Sequence, residues 1–228
     1  MKISKETLAI FKNFSMIRQG ITVRADTPHV VTMSDCVSIV ANAPIEETFP
    51  TDFTIYDIGQ FLSTVSLFKE PEFEFNDDYV SITDGEYTTK ATFAYASESL
   101  VKSPPKDEIN LGDYSVELTL DQKTIKTVMK AANTQSLKDL RLINEGTDIF
   151  FQAYDKEGTT NNVFGIKVDE NYEGEDFDAH LLATHMTMIP DDYSVGLIKA
   201  DKIMLSQFTG TGDKPNRYWV ALEPSSKL

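Results

Sequence analysis

Apolar residues recur at helical spacing in three segments of the chain, and the clearest of these begins near Gln122. In this segment the spacing i, i+3, i+4, i+7 gathers the apolar residues on one face of a helix and places lysines on the roughly opposite face. The apolar residues are Ile125, Val128, Met129 and Ala132, and the lysines are Lys123, Lys126 and Lys130. Thr119 and Gln122 have the spacing of a capping box, which predicts the start of this helix.

Two further segments predict amphipathic helices in the first half. Near the N-terminus, Ser4 is a candidate N-cap, Leu8, Phe11 and Phe14 form an apolar face, and Lys5 and Lys12 lie across from it. The third segment starts at Asp57 and Gln60, again with capping spacing, and has no lysine on its polar face. Its predicted apolar face consists of Phe61, Leu62, Val65 and Phe68.

Between the helices, alternating patterns and turn signals predict strands. In the first half these fall at 20–25, 29–33 and 35–42, followed by a hairpin at Asp84-Gly85. In the second half they include 193–199, 202–208 and 217–223, with turns at Glu145-Gly146 and Glu157-Gly158. A short helix is predicted around 185–188, ended by Pro190. Each half then contains a helix, strands, a helix and strands, which predicts an α+β fold with an approximate internal repeat.

A segment rich in proline, serine and charge, residues 97–113, separates the two halves. Pro104 and Pro105 lack backbone donors and favour an extended path, which is typical of a linker. We therefore predict two domains, residues 1–104 and 105–228.

The charge balance changes the interpretation of the lysine faces. The chain has 36 acidic and 21 basic residues and a formal charge of −15, so its surface as a whole repels nucleic acid. Basic-only helix faces on such a body indicate a protein that guides a polyanion along one local surface. The alternative is an ordinary solvated face, although such faces usually mix charges of both signs.

Other candidate chemistry is weaker. His180 and His185, with Asp176 and Asp178 nearby, match no specific metal-site spacing, and we predict no metal and no cofactor. Residues 210–215, GTGDKP, lack the full spacing of a phosphate loop and favour a hairpin turn. Cys36, the one cysteine, predicts a reducing compartment and packing on a strand. No nucleophile elbow, dinucleotide fingerprint or catalytic triad order is present, so the sequence gives no support for an enzyme.

Four stretches, in order along the chain, resemble the DNA polymerase sliding clamp of T-even-like bacteriophages. They are MKISKETLAIFKNFSMIRQGI, IYDIGQFLSTVSLF, NYEGEDF with the following HMTMIPDDY, and RYWVALEPSS. The resemblance implies a homotrimeric ring of two-domain subunits, with helices lining a central hole and antiparallel sheets outside. It implies no catalytic activity, and as partners duplex DNA, DNA polymerase, an ATP-driven clamp loader, and the promoter-recognition and coactivator proteins of late transcription. It also implies a location in the cytoplasm of the infected bacterium.

The resemblance assigns roles to residues as well. Two helices per domain in three subunits would give a lining of twelve helices, with five lysines facing the DNA: Lys5, Lys12, Lys123, Lys126 and Lys130. Partner peptides would dock in a hydrophobic pocket of the C-terminal domain near the linker and the chain end. The candidates there are Ile109, Leu111, Tyr218, Val220, Leu222 and Pro224. A core role remains the alternative for the alternating half of the last strand. An acidic two-domain structural or adaptor protein is the alternative for the whole chain.

Overall fold

The computed structural model describes residues 1–84, 89–106, 109, 112–200 and 203–228. The chain forms two compact units, Met1–Glu108 and Ile109–Leu228. The division falls inside the proline-rich segment 97–113, a few residues after the predicted boundary, and a short 3₁₀ helix occupies Glu98–Leu100. None of the helices in the described part of the chain has the length and hydropathy of a membrane span.

The N-terminal unit contains two α-helices and seven antiparallel strands among its described residues. The strands form a β1–β4 pair, a β2–β3 pair and a three-stranded sheet in the order β5-β6-β7. The elements are α1 (Lys5–Ile17), β1 (Ile21–Val23), β2 (His29–Met33), β3 (Ile39–Pro44), β4 (Phe53–Ile55), α2 (Ile58–Val65), β5 (Glu72–Phe75), β6 (Tyr79–Thr83) and β7 (Lys90–Ala94).

The C-terminal unit has one α-helix and eight strands among its described residues. The strands form antiparallel sheets in the orders β11-β10-β9-β12 and β8-β13-β14-β15. The elements are β8 (Val116–Leu120), α3 (Gln122–Gln135), β9 (Asp139–Glu145), β10 (Asp148–Tyr154), β11 (Val163–Asp169), β12 (Asp178–Leu182), a 3₁₀ turn (Ala183–His185), β13 (Tyr193–Ala200), β14 (Ile203–Gly210) and β15 (Arg217–Ala221).

The order of elements from α1 to β7 matches the order from α3 to β15, while β8 precedes this repeat in the C-terminal unit. A helix is followed by four strands, a helical element and three strands, as α1, β1–β4, α2, β5–β7 and as α3, β9–β12, the 3₁₀ turn, β13–β15. Aromatic side chains pack together in the core of the N-terminal unit, where the ring centroids of Phe53 and Phe75 lie 4.9 Å apart. In the C-terminal unit Tyr193, Phe208 and Tyr218 are fully buried. The α+β class is confirmed.

One predicted helix is wrong. Around 185–188 the chain forms only the 3₁₀ turn Ala183–His185, so this unit does not supply the second α-helix that a twelve-helix lining would need. The chain leaves the helical region already at Met186, with φ −84° and ψ 44°. Pro190 then disfavours a return to it at the preceding Ile189.

Cys36 also differs from its prediction. The strand predicted at 35–42 starts only at Ile39, and a turn precedes it in which Val37 adopts a φ of 60°. The Ser34 hydroxyl stabilises this turn by accepting hydrogen bonds from the N–H groups of Ser38 (3.1 Å) and Ile39 (3.0 Å). Cys36 is therefore exposed in a turn rather than packed on a strand. The pKa of its thiol lies below the usual value because Ser38 hydrogen-bonds to the sulfur.

Candidate nucleic-acid interface

All five lysines predicted to face DNA are exposed on two helices, Lys5 and Lys12 on α1 and the other three on α3. Among the ion pairs found in the described part of the chain, none involves these five side chains. Their ammonium groups are therefore available to an external anion. Each unit thus presents one basic helix face on a chain of net charge −15.

Helix α3 is fixed by carboxylates at its first turn. Asp121 is the N-cap and accepts a hydrogen bond from the Thr124 N–H (2.6 Å), and Asp192 accepts one from the Gln122 N–H (2.7 Å). The Thr124 hydrogen bond lowers the pKa of the Asp121 carboxyl. The capping box predicted at Thr119 is wrong, since Thr119 lies within β8, opposite Ser194.

The buried face of α3 agrees with the predicted pattern. Val128 and Ala132 are fully buried, and Ile125 and Met129 are half-buried along the edges of the same face. The lysines occupy the opposite, exposed face, which places all three charges in water.

Helix α1 is capped by Ser4, whose hydroxyl accepts from the Thr7 N–H (3.1 Å), and the Glu47 carboxylate hydrogen-bonds to both residues. Its core face consists of Thr7, Ile10, Phe11, Asn13 and Phe14. Leu8 was predicted on this face, but it is half-buried and lines a groove together with Lys5 and Lys12. The misplacement has a geometric cause, because four residues turn a helix by about 400°, which brings position 12 back beside position 8.

Helix α2 presents a neutral surface beside α1. Its N-cap, Asp57, accepts from the Gln60 N–H (2.8 Å), as predicted. Two exposed hydroxyls on α2 donate to carbonyls of their own helix: Ser63 to Gly59 (2.8 Å) and Thr64 to Gln60 (2.9 Å).

The same arrangement occurs on α3. There Thr127 donates to the Lys123 carbonyl (2.7 Å) and Thr134 to the Lys130 carbonyl (2.8 Å). The hydroxyl protons of both helices are thus engaged within the protein.

The predicted docking residues on the last strand are mostly core. Tyr218 and Val220 are fully buried and Leu222 is 8% exposed, so their prediction as exposed residues is wrong. The reason is that β15 buries consecutive residues, Trp219 included, so it has no solvent face on which alternate residues could be displayed. Pro224 is exposed and Ile109 is half-buried, while Leu111 lies outside the described residues.

His180 is buried and His185 is half-buried. The His180 ring hydrogen-bonds to the Tyr154 hydroxyl through Nδ1, and its Nε2 lies 3.4 Å from an Asp178 carboxylate oxygen. Burial lowers the pKa of both His180 and His185. Within the described ranges, no group of three or more His, Cys, Asp or Glu side chains is arranged to hold a metal ion.

The remaining turn predictions can be compared with the strand pairing. Residues 210–215 connect the paired strands β14 and β15, which confirms the hairpin turn. Gly146 and Gly158 have φ values of 66° and 68° in the turns that precede and follow β10. In the hairpin between β6 and β7, Gly85 lies outside the described residues.

This double repeat of helix and sheet is the fold of the DNA clamps. A solved structure described as the C-terminal region of FEN-1 bound to A. fulgidus PCNA matches it with a TM-score of 0.70. The match covers 99% of this chain and 98% of that chain at 10% sequence identity, which shows the fold alone.

The sequence narrows this class to one family. The family model described as DNA polymerase processivity factor matches residues 4–100. The sliding clamp of Vibrio phage KVP40 is 30% identical over 98% of this chain and 99% of its own length. The sliding clamp of Escherichia phage RB69 is 24% identical over 99% of this chain and 98% of its own length. The chain belongs to the sliding clamps of T4-like phages, which are processivity factors of DNA polymerase and not enzymes.

Proposed function

We propose that three copies of this chain close into a ring around duplex DNA and hold the phage DNA polymerase on its template in the host cytoplasm. The observation that carries the proposal is that α1 and α3 together expose five lysines, none in an ion pair found in the described part of a chain with net charge −15. A polyanion is attracted to these two helices and repelled by the acidic remainder.

The contacts expected from these helices are sequence-independent. Lysine ammonium groups interact with phosphate oxygens, which carry no base information, so the affinity depends on salt rather than on sequence. A ring held by such contacts stays on the duplex through topology and still moves along it. That combination suits a processivity factor.

Two open strand edges support a head-to-tail assembly. Directly after β7, the Tyr95 N–H donates to the Asp78 carbonyl (2.9 Å) on one side and the Ala96 N–H to the Thr54 carbonyl (2.9 Å) on the other. Because N–H groups alternate in direction along a strand, those of Thr92 and Ala94 point away from β6. Strand β11 ends its sheet in the C-terminal unit. We propose that β7 of one copy pairs with β11 of the next.

The opposite edges of these two sheets are covered, which singles out β7 and β11. The Phe73 N–H of β5 donates to the Met1 carbonyl (2.7 Å). Strand β12 pairs with the end of the chain, where Asp178 and Lys227 exchange hydrogen bonds of 3.0 and 2.9 Å. An uncovered edge presents unpaired backbone groups that another strand satisfies.

Encirclement is tested by topology. Fluorescent clamp loaded onto nicked circular DNA by its loader should stay bound through gel filtration and be released when a restriction enzyme linearises the circle. Sedimentation at tens of micromolar should give a trimer. A monomer whose release does not depend on cutting the circle would instead indicate the acidic adaptor protein.

The partner contacts form a second part of the proposal. We place polymerase and clamp-loader docking on the C-terminal unit, around Ile109, Leu111 and Pro224, and assign the late-transcription promoter-recognition and coactivator proteins to the same surface. The exposure of Pro224 supports this choice. Docking of a protein segment on this fold is supported by the structurally similar A. fulgidus PCNA, to which the C-terminal region of FEN-1 is bound. Pro224→Asp should weaken polymerase binding at least about tenfold, because a charge on an apolar contact must be desolvated.

The matched control for this test is Pro50→Asp, since Pro50 is also an exposed proline but lies in the N-terminal unit. Both variants should remain trimeric. Equal polymerase affinity of the two variants in surface plasmon resonance would place the docking surface elsewhere.

A further inference from the structure

A cleft of about 310 Å³ lies beside the first turns of α3. One wall consists of Gln122, Ile125 and Lys126 of the helix. The other wall is the irregular segment 186–191, which contributes Met186, Met188 and Ile189. The lining is therefore mostly apolar, with Lys126 and Asp191 as its charged residues.

The N-terminal unit has a groove at the same helix positions. Lys5, Leu8 and Ala9 are the first, fourth and fifth residues of α1, as Gln122, Ile125 and Lys126 are of α3. In that unit the opposite wall is α2, whose small residues Gly59 and Ser63 leave a wider space of about 620 Å³. The two features differ because the C-terminal unit replaces the second helix by an apolar, methionine-bearing segment.

This segment is held in place from within the unit. The Ile189 N–H donates to the Tyr218 hydroxyl (3.2 Å), and the Ile189 carbonyl accepts from the Tyr193 hydroxyl. Both tyrosine side chains are fully buried. The Asp192 carboxylate ties the end of the segment to the first turn of α3. The cleft is therefore preformed, while its methionine side chains can adapt to the shape of an occupant.

The chemistry of the cleft selects an occupant other than the duplex. Phosphates and sugar oxygens that entered an apolar cleft would lose water without gaining hydrogen bonds. An aliphatic or aromatic side chain gains by leaving water there. Lys126 lines the cleft, and Lys123 and Lys130 lie three and four residues from Lys126 on the exposed face of α3. These three ammonium groups outnumber the one carboxylate in the lining, that of Asp191, and favour carboxylates around that side chain.

We propose that the cleft binds an acidic protein segment that inserts a bulky apolar side chain between α3 and residues 186–191. Carboxylates flanking this anchor meet the same lysines that we assign to DNA. Segment and duplex therefore exclude one another, and the segment occupies a clamp that holds no DNA.

Two synthetic peptides test this on the full-length protein. The first is fluorescein-labelled Asp-Glu-Asp-Leu-Phe-Asp-Glu-Leu-Asp, and the second carries serine in place of its three apolar residues, at unchanged charge. In fluorescence anisotropy the first should bind at least about tenfold more tightly, because burial of one large apolar side chain contributes at least that factor. It should shift the ¹³C-methyl signals of Met186 and Met188, leaving that of Met16, exposed on α1, unchanged.

Ile125→Glu should reduce the affinity for the apolar peptide to that for the serine peptide. Leu8→Glu, at the equivalent position of α1, should leave the affinity for the apolar peptide unchanged. If Ile125→Glu lowers the melting temperature, Met188→Ser is used as a second variant that alters the cleft. Equal binding of the two peptides, or equal losses in Ile125→Glu and Leu8→Glu, would overturn the proposal. So would a peptide that stays bound under saturating 30-bp duplex, or a duplex that itself shifts the Met186 and Met188 signals.

Discussion

Reversing the charge of the α3 lysines should weaken DNA binding and leave folding almost unchanged. In the triple variant Lys123→Glu, Lys126→Glu, Lys130→Glu, three residues each change by two charge units, a change of six units per copy. All three side chains are exposed and outside the ion pairs found in the described chain, so each substitution should alter the free energy of unfolding by only about 0–1 kcal/mol.

The size of the DNA effect follows from counterion release. Each lysine on a phosphate contributes about 0.9 to the slope of log affinity against log salt, so three contribute up to about 2.7 per copy. Between 50 and 200 mM salt, a slope of that size corresponds to an affinity change of about fortyfold. The wild-type protein should show this steep dependence, and the triple variant should lose it together with its binding.

The measurement is the affinity for a 30-bp duplex at several salt concentrations, followed by loader-dependent loading onto primed circular DNA. A matched control carries Lys69→Glu, Lys102→Glu and Lys214→Glu, three exposed lysines outside the α-helices. Its net charge equals that of the α3 variant, so a general increase in acidity affects both proteins alike.

Equal loading and equal salt slopes in the two variants would refute the assignment of α3 to DNA. The lysine face would then be an ordinary solvated surface. A Gln triple variant should lie between wild type and the Glu variant, because it removes attraction without adding repulsion.

Three further outcomes are expected. Leu222→Asp should lower the free energy of unfolding, measured in urea, by at least about 3 kcal/mol because it buries a charge without a partner. Pro224→Asp should change the same free energy by no more than about 0.5 kcal/mol. Similar values for the two variants would contradict the assignment of Leu222 to the core. Asp121→Ala should cost about 1 kcal/mol by loss of the N-cap, and Thr119→Ala clearly less. Since the folded-state pKa of Asp121 is lowered, its contribution is present above the ordinary carboxyl pKa of about 4 and should vanish as the pH falls through the folded value. Thr92→Pro removes an outward N–H of β7 and should shift sedimentation from trimer toward monomer with little change in the far-UV spectrum; an unchanged trimer would exclude this edge from the interface.

The helices were predictable because their signals are local. The predicted caps agree at α1 and α2, and Leu8 is the residue of α1 that lies off its predicted face. At α3 only the cap was misassigned, from Asp121 to Thr119. Strands were harder to recognise. Neither β4, with three residues, nor β12, which directly follows an acidic loop, shows enough alternation to be recognised.

The burial of three candidate docking residues, Tyr218, Val220 and Leu222, has a physical reason. An alternating pattern predicts one solvent face, but Tyr218, Trp219 and Val220 are all buried, so both faces of β15 are covered. The uninterrupted apolar run 218–222 is typical of a strand buried on both faces, so a local signal for this burial is present in the sequence. The cleft beside α3 has no such signal, because Met186 and Ile125 are far apart in sequence and only the fold brings them together.

The internally bonded hydroxyls of α2 and α3 bear on how freely a duplex moves. Ser63, Thr64, Thr127 and Thr134 each donate their proton to a carbonyl of their own helix. On the proposed path of the duplex, a phosphate that passes α2 and α3 therefore finds none of these four hydroxyl protons available, whereas the ammonium groups of α3 are exposed to it. A phosphate can exchange the ammonium group of one lysine for that of the next without breaking a hydrogen bond to a fixed donor of the helix. The resistance to sliding of the protein along the duplex is then set by the reorientation of flexible lysine side chains and not by the breaking of hydrogen bonds to fixed donors.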